Sequence, residues 1–321
     1  MTKKTNRIII TCLVLLFNLF ILMFPRDMVA AARHGINLWL SSVFPALFPF
    51  VFGVNMLMGT GVVGYAGRKL TPVMTRLFGV PGAGGFAMIV GFTSGYPIGA
   101  KVVSELRLRG EVSKTQAERL ISFCNNSGPL FILGTVGASI FANLQLGYFI
   151  LSTHYGAALV TGLLFKYYKY DRREHFASRH QPTHQMEALT FGDSVIRGVQ
   201  TMLAIGGFIT LFSVVIEIIK ISGLQAMVYH LFGQIVASGL LGIIEVTNGT
   251  KYLADISGGV MGRPTAVTIA SIISFAGLSI HAQSLSFISK TDINPQVYFL
   301  GKLVHAGITL LLGIGLYPLF F

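Results

Sequence analysis

The stretch "GFTSGYPIGAK", Gly91 to Lys101, lies where the surrounding apolar sequence calls for a membrane span, yet it holds three glycines, a proline and a lysine. From Gly79 to Gly110 the chain offers two arms of about a dozen residues each, parted by "SGYP". Neither arm approaches the roughly 20 residues that a helix needs to cross hydrocarbon. A re-entrant hairpin satisfies the pattern. The breakers end one half-helix at depth, Pro97 begins the next, and the free N–H groups of that second start face a ligand. Cations flank both ends, Lys69 and Arg76 before and Arg107, Arg109, Lys114 and Arg119 after, so the hairpin is expected to return to the side it left.

The rest of the chain supports a membrane setting. Of 321 residues 53% are apolar and 11% charged, the balance of a polytopic membrane protein with lipid as its solvent. The net charge of +12 falls mostly in short connections between apolar runs, which marks topology and argues against nucleic acid as a partner. Cys12 and Cys124 lie in apolar runs without disulfide or metal-ligand spacing, so neither a metal nor a cofactor is expected. The expected fold is all-α and integral to the membrane. An N-terminal transmembrane helix (1–27) precedes repeat 1 (28–165, with its re-entrant hairpin at 79–112), a basic cytoplasmic loop (166–190) and repeat 2 (191–321, with its hairpin at 237–263). This order puts the N-terminus in the cytoplasm and the C-terminus outside.

Self-comparison carries the repeat, since transporters often keep internal similarity between halves. At an offset of about 150, "SFCNNS" (Ser122–Ser127) answers "SFAGLS" (Ser274–Ser279), and His154-Tyr155-Gly156 answers His305-Ala306-Gly307. "GAKVVSE" answers "GTKYLAD", so both interrupted segments set a lysine two residues after a glycine and an acid four residues later: Gly99, Lys101, Glu105 and Gly249, Lys251, Asp255. Three crossings and one hairpin per half make the second half inverted relative to the first. Inverted repeats with broken segments put a substrate site near the midplane.

Candidate site residues follow from the breaks. Lys101 falls in the first turn of the half-helix that Pro97 starts, where its charge and the positive helix end would act together on a carboxylate or phosphate, and Lys251 repeats this in the second half. Each lysine also has an acid four residues on, so a plain ion pair is the competing reading. Asn125, Asn126 and Ser127 precede the break at Gly128-Pro129, with interhelical hydrogen bonding as the alternative. Ser279, His281 and Gln283 occupy the matching place, and Glu245, Thr247 and Asn248 stand at the second hairpin break. His154 and His305 read more naturally as packing.

At these motifs the chain resembles the sporulation integral membrane proteins of endospore-forming bacteria, the YlbJ or stage V sporulation protein V family, within the wider group of nucleoside-recognition or gate-domain proteins. The resemblance runs from about Arg33 to the end, and rests on "GFTSGYPIGAK", "ERLISFCNNSGPLFILGTVG" and "SFAGLSIHAQS". It implies transport of dipicolinic acid across the outer forespore membrane, by a secondary or facilitated, elevator- or gate-like mechanism. The wider group is similar to concentrative nucleoside transporters, whose hairpins and unwound helices enclose the substrate. That similarity implies site roles for Thr93, Ser94, Gly95 and Tyr96, for Asn125 to Ser127, for Glu245 to Asn248, and for Ser274 and Ser279.

The expected partner is therefore a small organic anion, with a proton or sodium ion as coupling species; a homo-oligomer is left open. The residues themselves point the same way, because a dianion needs countercharge and two lysines could supply it. No GxxxxGK[ST] motor is present, and no catalytic constellation is evident, so an enzyme is not expected. The alternatives are a nucleoside carrier and a non-transporting scaffold for sporulation membranes.

Overall fold

In a computed structural model the described residues are 3–60, 62–169, 190–257 and 262–321, and they are helical throughout apart from short connections. The loop at 166–190 lies mostly outside them. In chain order the helices are α1 (Lys3–Met23), α2 (Pro25–Leu38), the π-helical turn π1 (Trp39–Val43), α3 (Phe44–Gly59), α4 (Val62–Phe78), α5 (Ala83–Thr93), α6 (Ile98–Leu108), α7 (Lys114–Ile121), the π-helix π2 (Leu130–Ile140) and α8 (Leu144–Phe165). The second half has α9 (Phe191–Ile221), α10 (Leu224–Phe232), α11 (Gln234–Ile244), α12 (Val246–Ser257), α13 (Arg263–Phe275), α14 (Gly277–Ile288) and α15 (Pro295–Phe320).

Four segments are long and apolar enough to cross a membrane as they stand: α8, α9, α13 with α14, and α15. Two bent pairs raise the number to six, α1 with α2 at 105° and α4 with α5 at 82°. This is an all-α membrane protein. Fewer of its crossings are single straight helices than the length of the apolar runs suggests. The run from His34 to Gly59 is divided among α2, π1 and α3, beside Pro45 and Pro49, and Ala117–Phe141 is opened by residues 122–129.

The two halves share one order of elements. A long or divided helix (α2–α3; α9) is followed by a surface helix (α4; α10), a hairpin (α5–α6; α11–α12), a broken helix (α7–π2; α13–α14) and a long helix (α8; α15). The arms of the first hairpin meet at Ser94–Pro97 and those of the second at Glu245, with α11 beginning at Gln234. Helix α15 packs along α8 and α13, and α2 and α3 pack along α9, so the halves are interleaved.

Several of the cations expected on one membrane side do meet at one end of the molecule. Arg119, 2% exposed, donates to the carbonyls of Gly79 (2.7 Å), Tyr168 (3.0 Å) and Lys169 (3.0 Å), tying the first hairpin to the end of α8. Buried Glu118 accepts from Lys169 and from the Asn294 N–H. Arg107 donates through two nitrogens to both Asp292 oxygens and holds that carboxyl below its ordinary range. The two kinds of contact differ in weight. Arg119→Met would strand the buried Gly79 carbonyl and release two part-buried ones, and is expected to cost about 2 kcal/mol. Asp292→Asn opens an exposed pair and is expected to cost less than about 1 kcal/mol. The Asp292 contribution is present above the unfolded pKa and fades as pH falls through the lowered folded value. Thermal unfolding in detergent, followed against pH, checks both.

Candidate functional site

The tip of the first hairpin rests on the break before π2. Gly95 adopts φ +83°, and a side chain there would meet the Gly128 backbone nitrogen at 2.8 Å, so two backbones touch where other residues would hold them apart. The second half repeats the contact. Gly277, at the start of α14, sits against the Gly242 carbonyl and the Val246 nitrogen at the hairpin break.

Between these elements lies a cavity of about 120 Å³. The first hairpin contributes Thr93, Ser94, Gly95 and Tyr96, and the first broken helix contributes Ser127, Gly128, Leu130 and Phe131. Glu245, Val246 and Thr247 come from the second break and Gln283 from α14, while α3 and α9 supply apolar wall through Leu47, Ile205 and Ile209. The first turns of π2 and α12 therefore face the cavity, and each brings the positive end of a helix dipole.

Glu245 is 4% exposed and already engaged. Its carboxylate accepts from the Thr247 N–H (3.1 Å), the Asn248 N–H (2.8 Å) and the Asn248 side chain (2.9 Å), capping α12. The positive end of α12 is thus spent on Glu245, the one carboxylate in the lining, and at the start of π2 the Phe131 and Ile132 N–H groups both donate to the Gly128 carbonyl. The Tyr96 and Ser127 hydroxyls are buried, without a hydrogen-bond partner among the described residues, and both residues line the cavity. Such groups are available to a polar solute.

The structure separates the remaining candidates from this cavity. Lys101 and Lys251, expected to converge, are not brought together. Lys101 is on the wall of α6 away from the cavity, where its ammonium donates to Asn55 Oδ1 (2.5 Å) and lies 3.8 Å from Glu105; Asn55 in turn donates to the Ser194 carbonyl on α9. It fastens the hairpin to the scaffold. Exposed Lys251 lines a separate polar cleft of about 400 Å³ with Asp27, His34, Glu217 and Asp255. A helix start sets position along the axis, but the side chain follows whichever neighbour packs on its face.

Asn125 is structural in its contacts. It accepts from the Ala100 N–H and donates to Ser284 and Tyr298, joining both repeats. Asn126 donates to the Phe123 carbonyl. Ser274 bonds His154 and Thr309, Ser279 accepts from Gln283, and His281 lies among the rings of Phe275, Tyr298 and Phe299. Thr135 is a lining residue that sequence reasoning missed, although it stands alone as a polar group in "FILGTVG". Lys302, buried in α15, was also missed.

The fold and cavity define an all-α membrane protein of transporter-like build, with two hairpins closing on two broken helices. The family described as Gate, nucleoside recognition, matches residues 40–144, which span the first hairpin and the first broken helix. The sporulation integral membrane protein YlbJ of Bacillus subtilis (strain 168) is 32% identical over 331 aligned residues, covering 94% of this chain and 81% of that protein. No solved structure matches. The chain belongs to the YlbJ family of sporulation integral membrane proteins.

Proposed function

We propose that the chain is a secondary carrier, not an enzyme, and that it moves a small aromatic acid through the cavity between the hairpin tips. Dipicolinate is the member of that class to which the family resemblance points, with the outer forespore membrane as its setting. The observation that carries the reading is the pair of buried Tyr96 and Ser127 hydroxyls in the cavity wall, beside the start of π2 and an apolar face that suits a ring. Movement of the hairpins against α8, α9 and α15 would open the cavity to either side in turn. The sporulation relative supports the setting.

A nucleoside is the second reading, favoured by a lining that holds one carboxylate and neither lysine nor arginine. Glu245→Gln separates the two. A dianion gains from loss of a nearby negative charge, so dipicolinate uptake into proteoliposomes should keep or lower its half-saturating concentration. A nucleoside that donates hydroxyl hydrogens to Glu245 should lose affinity by roughly 10- to 100-fold. Saturable dipicolinate flux unaffected by excess uridine supports the proposal. Uridine flux without dipicolinate flux overturns it, and flux of neither leaves the non-transporting scaffold.

A further inference from the structure

The proposed carrier leaves one group in the membrane unexplained. Lys302, two turns into α15, is 0% exposed, and among the described residues no carboxylate comes within ion-pairing distance of its ammonium. A lone buried ammonium is strongly disfavoured, and ionisable groups at membrane depth mark ion or substrate paths. Yet Lys302 does not line the central cavity. It therefore has no direct place in holding the solute.

Its neighbours are proton-handling groups. Lys302 Nζ is 3.5 Å from His305 Nδ1, one turn along α15. His305 Nε2 lies 2.9 Å from the His154 carbonyl on α8, and the two imidazole centroids are 4.7 Å apart. His154 Nε2 faces the Ser127 N–H at 3.0 Å and its Nδ1 faces Ser274 Oγ at 2.7 Å. The other titratable side chains toward Lys302 are Cys124 at the α7–π2 break and His281 on α14, while α13 contributes Ser274.

The partners fix where the protons sit. A carbonyl only accepts, so His305 carries hydrogen on Nε2 and leaves Nδ1 to accept from Lys302. A backbone N–H only donates, so His154 Nε2 is bare and its hydrogen, on Nδ1, goes to Ser274. The bonds from Lys302 thus end at the His154 carbonyl, while the His154 ring, 4.7 Å from that of His305, makes its own contact with Ser127 in the cavity wall. Two imidazoles so close would repel if both were charged, so the cluster suits one added proton at a time.

We infer that Lys302, with His305 and His154, is the proton-binding site that couples this carrier to a proton gradient. The inference rests on the carrier reading and names its coupling ion. Each cycle takes one proton from the aqueous side to which the cavity is open and releases it on the other. A proton carried with a dicarboxylate lowers the net charge crossing the membrane by one unit. The charge state of Lys302 reaches the solute through His154 and the Ser127 backbone, at the point where the first hairpin tip rests.

Proteoliposomes of the full chain with a trapped pH-sensitive dye test this. Under an inward proton gradient, external dipicolinate should acidify the lumen. Lys302→Gln should lose this acidification while still exchanging labelled for unlabelled dipicolinate at equal pH, and Lys302→Arg, held protonated, should do the same. Dipicolinate-dependent acidification that persists in Lys302→Gln overturns the inference. So does wild-type uptake without acidification, which leaves the carrier reading intact, and so does loss of exchange in a monodisperse Lys302→Gln, which would make the lysine part of solute binding. If Lys302→Gln is not recovered folded, His305→Gln takes its place, with loss of acidification supporting the inference and unchanged acidification overturning it. A wild-type protein that exchanges neither dipicolinate nor uridine removes the carrier reading and this inference together.

Discussion

Gly91→Ala is expected to prevent the first hairpin from seating. The Cys124 carbonyl, at the break of the first broken helix, enters between the two arms of the hairpin. A Cβ on Gly91 would overlap that oxygen, and one on Gly99 of the other arm would do the same. The obstacle is backbone and not the far end of a flexible side chain. The oxygen cannot retreat, because Cys124 is fully buried and the next residue, Asn125, is bonded to Ala100, Ser284 and Tyr298. Overpacking in a core commonly costs 1–3 kcal/mol, and a clash between fixed backbones belongs at the upper end, so about 3 kcal/mol or more is expected here. Measured by thermal unfolding in detergent, Gly91→Ala should lose more stability than Arg119→Met, and Gly134→Ala, which meets only the Leu130 side chain at 3.5 Å, should lose little. A Gly91→Ala protein as stable as wild type would show that the hairpin does not hold this carbonyl.

Blocking the cavity at Thr93 is expected to abolish flux while leaving the fold intact. Thr93 ends α5, is exposed, lines the cavity, and bonds only to carbonyls of its own helix, at Ile89 and Val90. Its replacement by cysteine removes no hydrogen bond between elements among the described residues. The native thiols do not interfere: Cys12 is exposed and can be changed to serine, and Cys124 is buried. A bulky methanethiosulfonate adduct on Thr93→Cys should fill a space of about 120 Å³ and reduce dipicolinate uptake to background. The same adduct on Leu278→Cys, an exposed position away from the lining, should leave uptake near its starting rate.

The broken segments were legible in the sequence because glycine and proline act locally. An apolar run that is interrupted at half a membrane's thickness has few solutions, and the hairpin arms fall inside the bounds 79–112 drawn from "SGYP". The repeat was legible through paired motifs, and the order of elements in the two halves follows the same offset. The faces of the helices were not legible. Lys101 is in the first turn of its half-helix as expected, but Asn55, some 46 residues earlier, draws it to the scaffold side. No spacing rule announces such a partner. Glu245 was rightly placed at a break, yet its role in capping α12 depends on the extended backbone at that residue, which only the fold reveals. Lys302 was the opposite case. A lysine and a histidine three residues apart inside the last apolar run are plain in the sequence, but Lys302 has no counterpart lysine in the first half, so the repeat does not single it out.

The most direct test of the central claim, that the solute occupies the space between the hairpin tips, is the rate of thiol modification of Thr93→Cys with and without dipicolinate. The account predicts that dipicolinate slows modification saturably, over the same concentrations that drive uptake. A modification rate indifferent to both dipicolinate and uridine, with uptake undiminished after complete labelling, would contradict it.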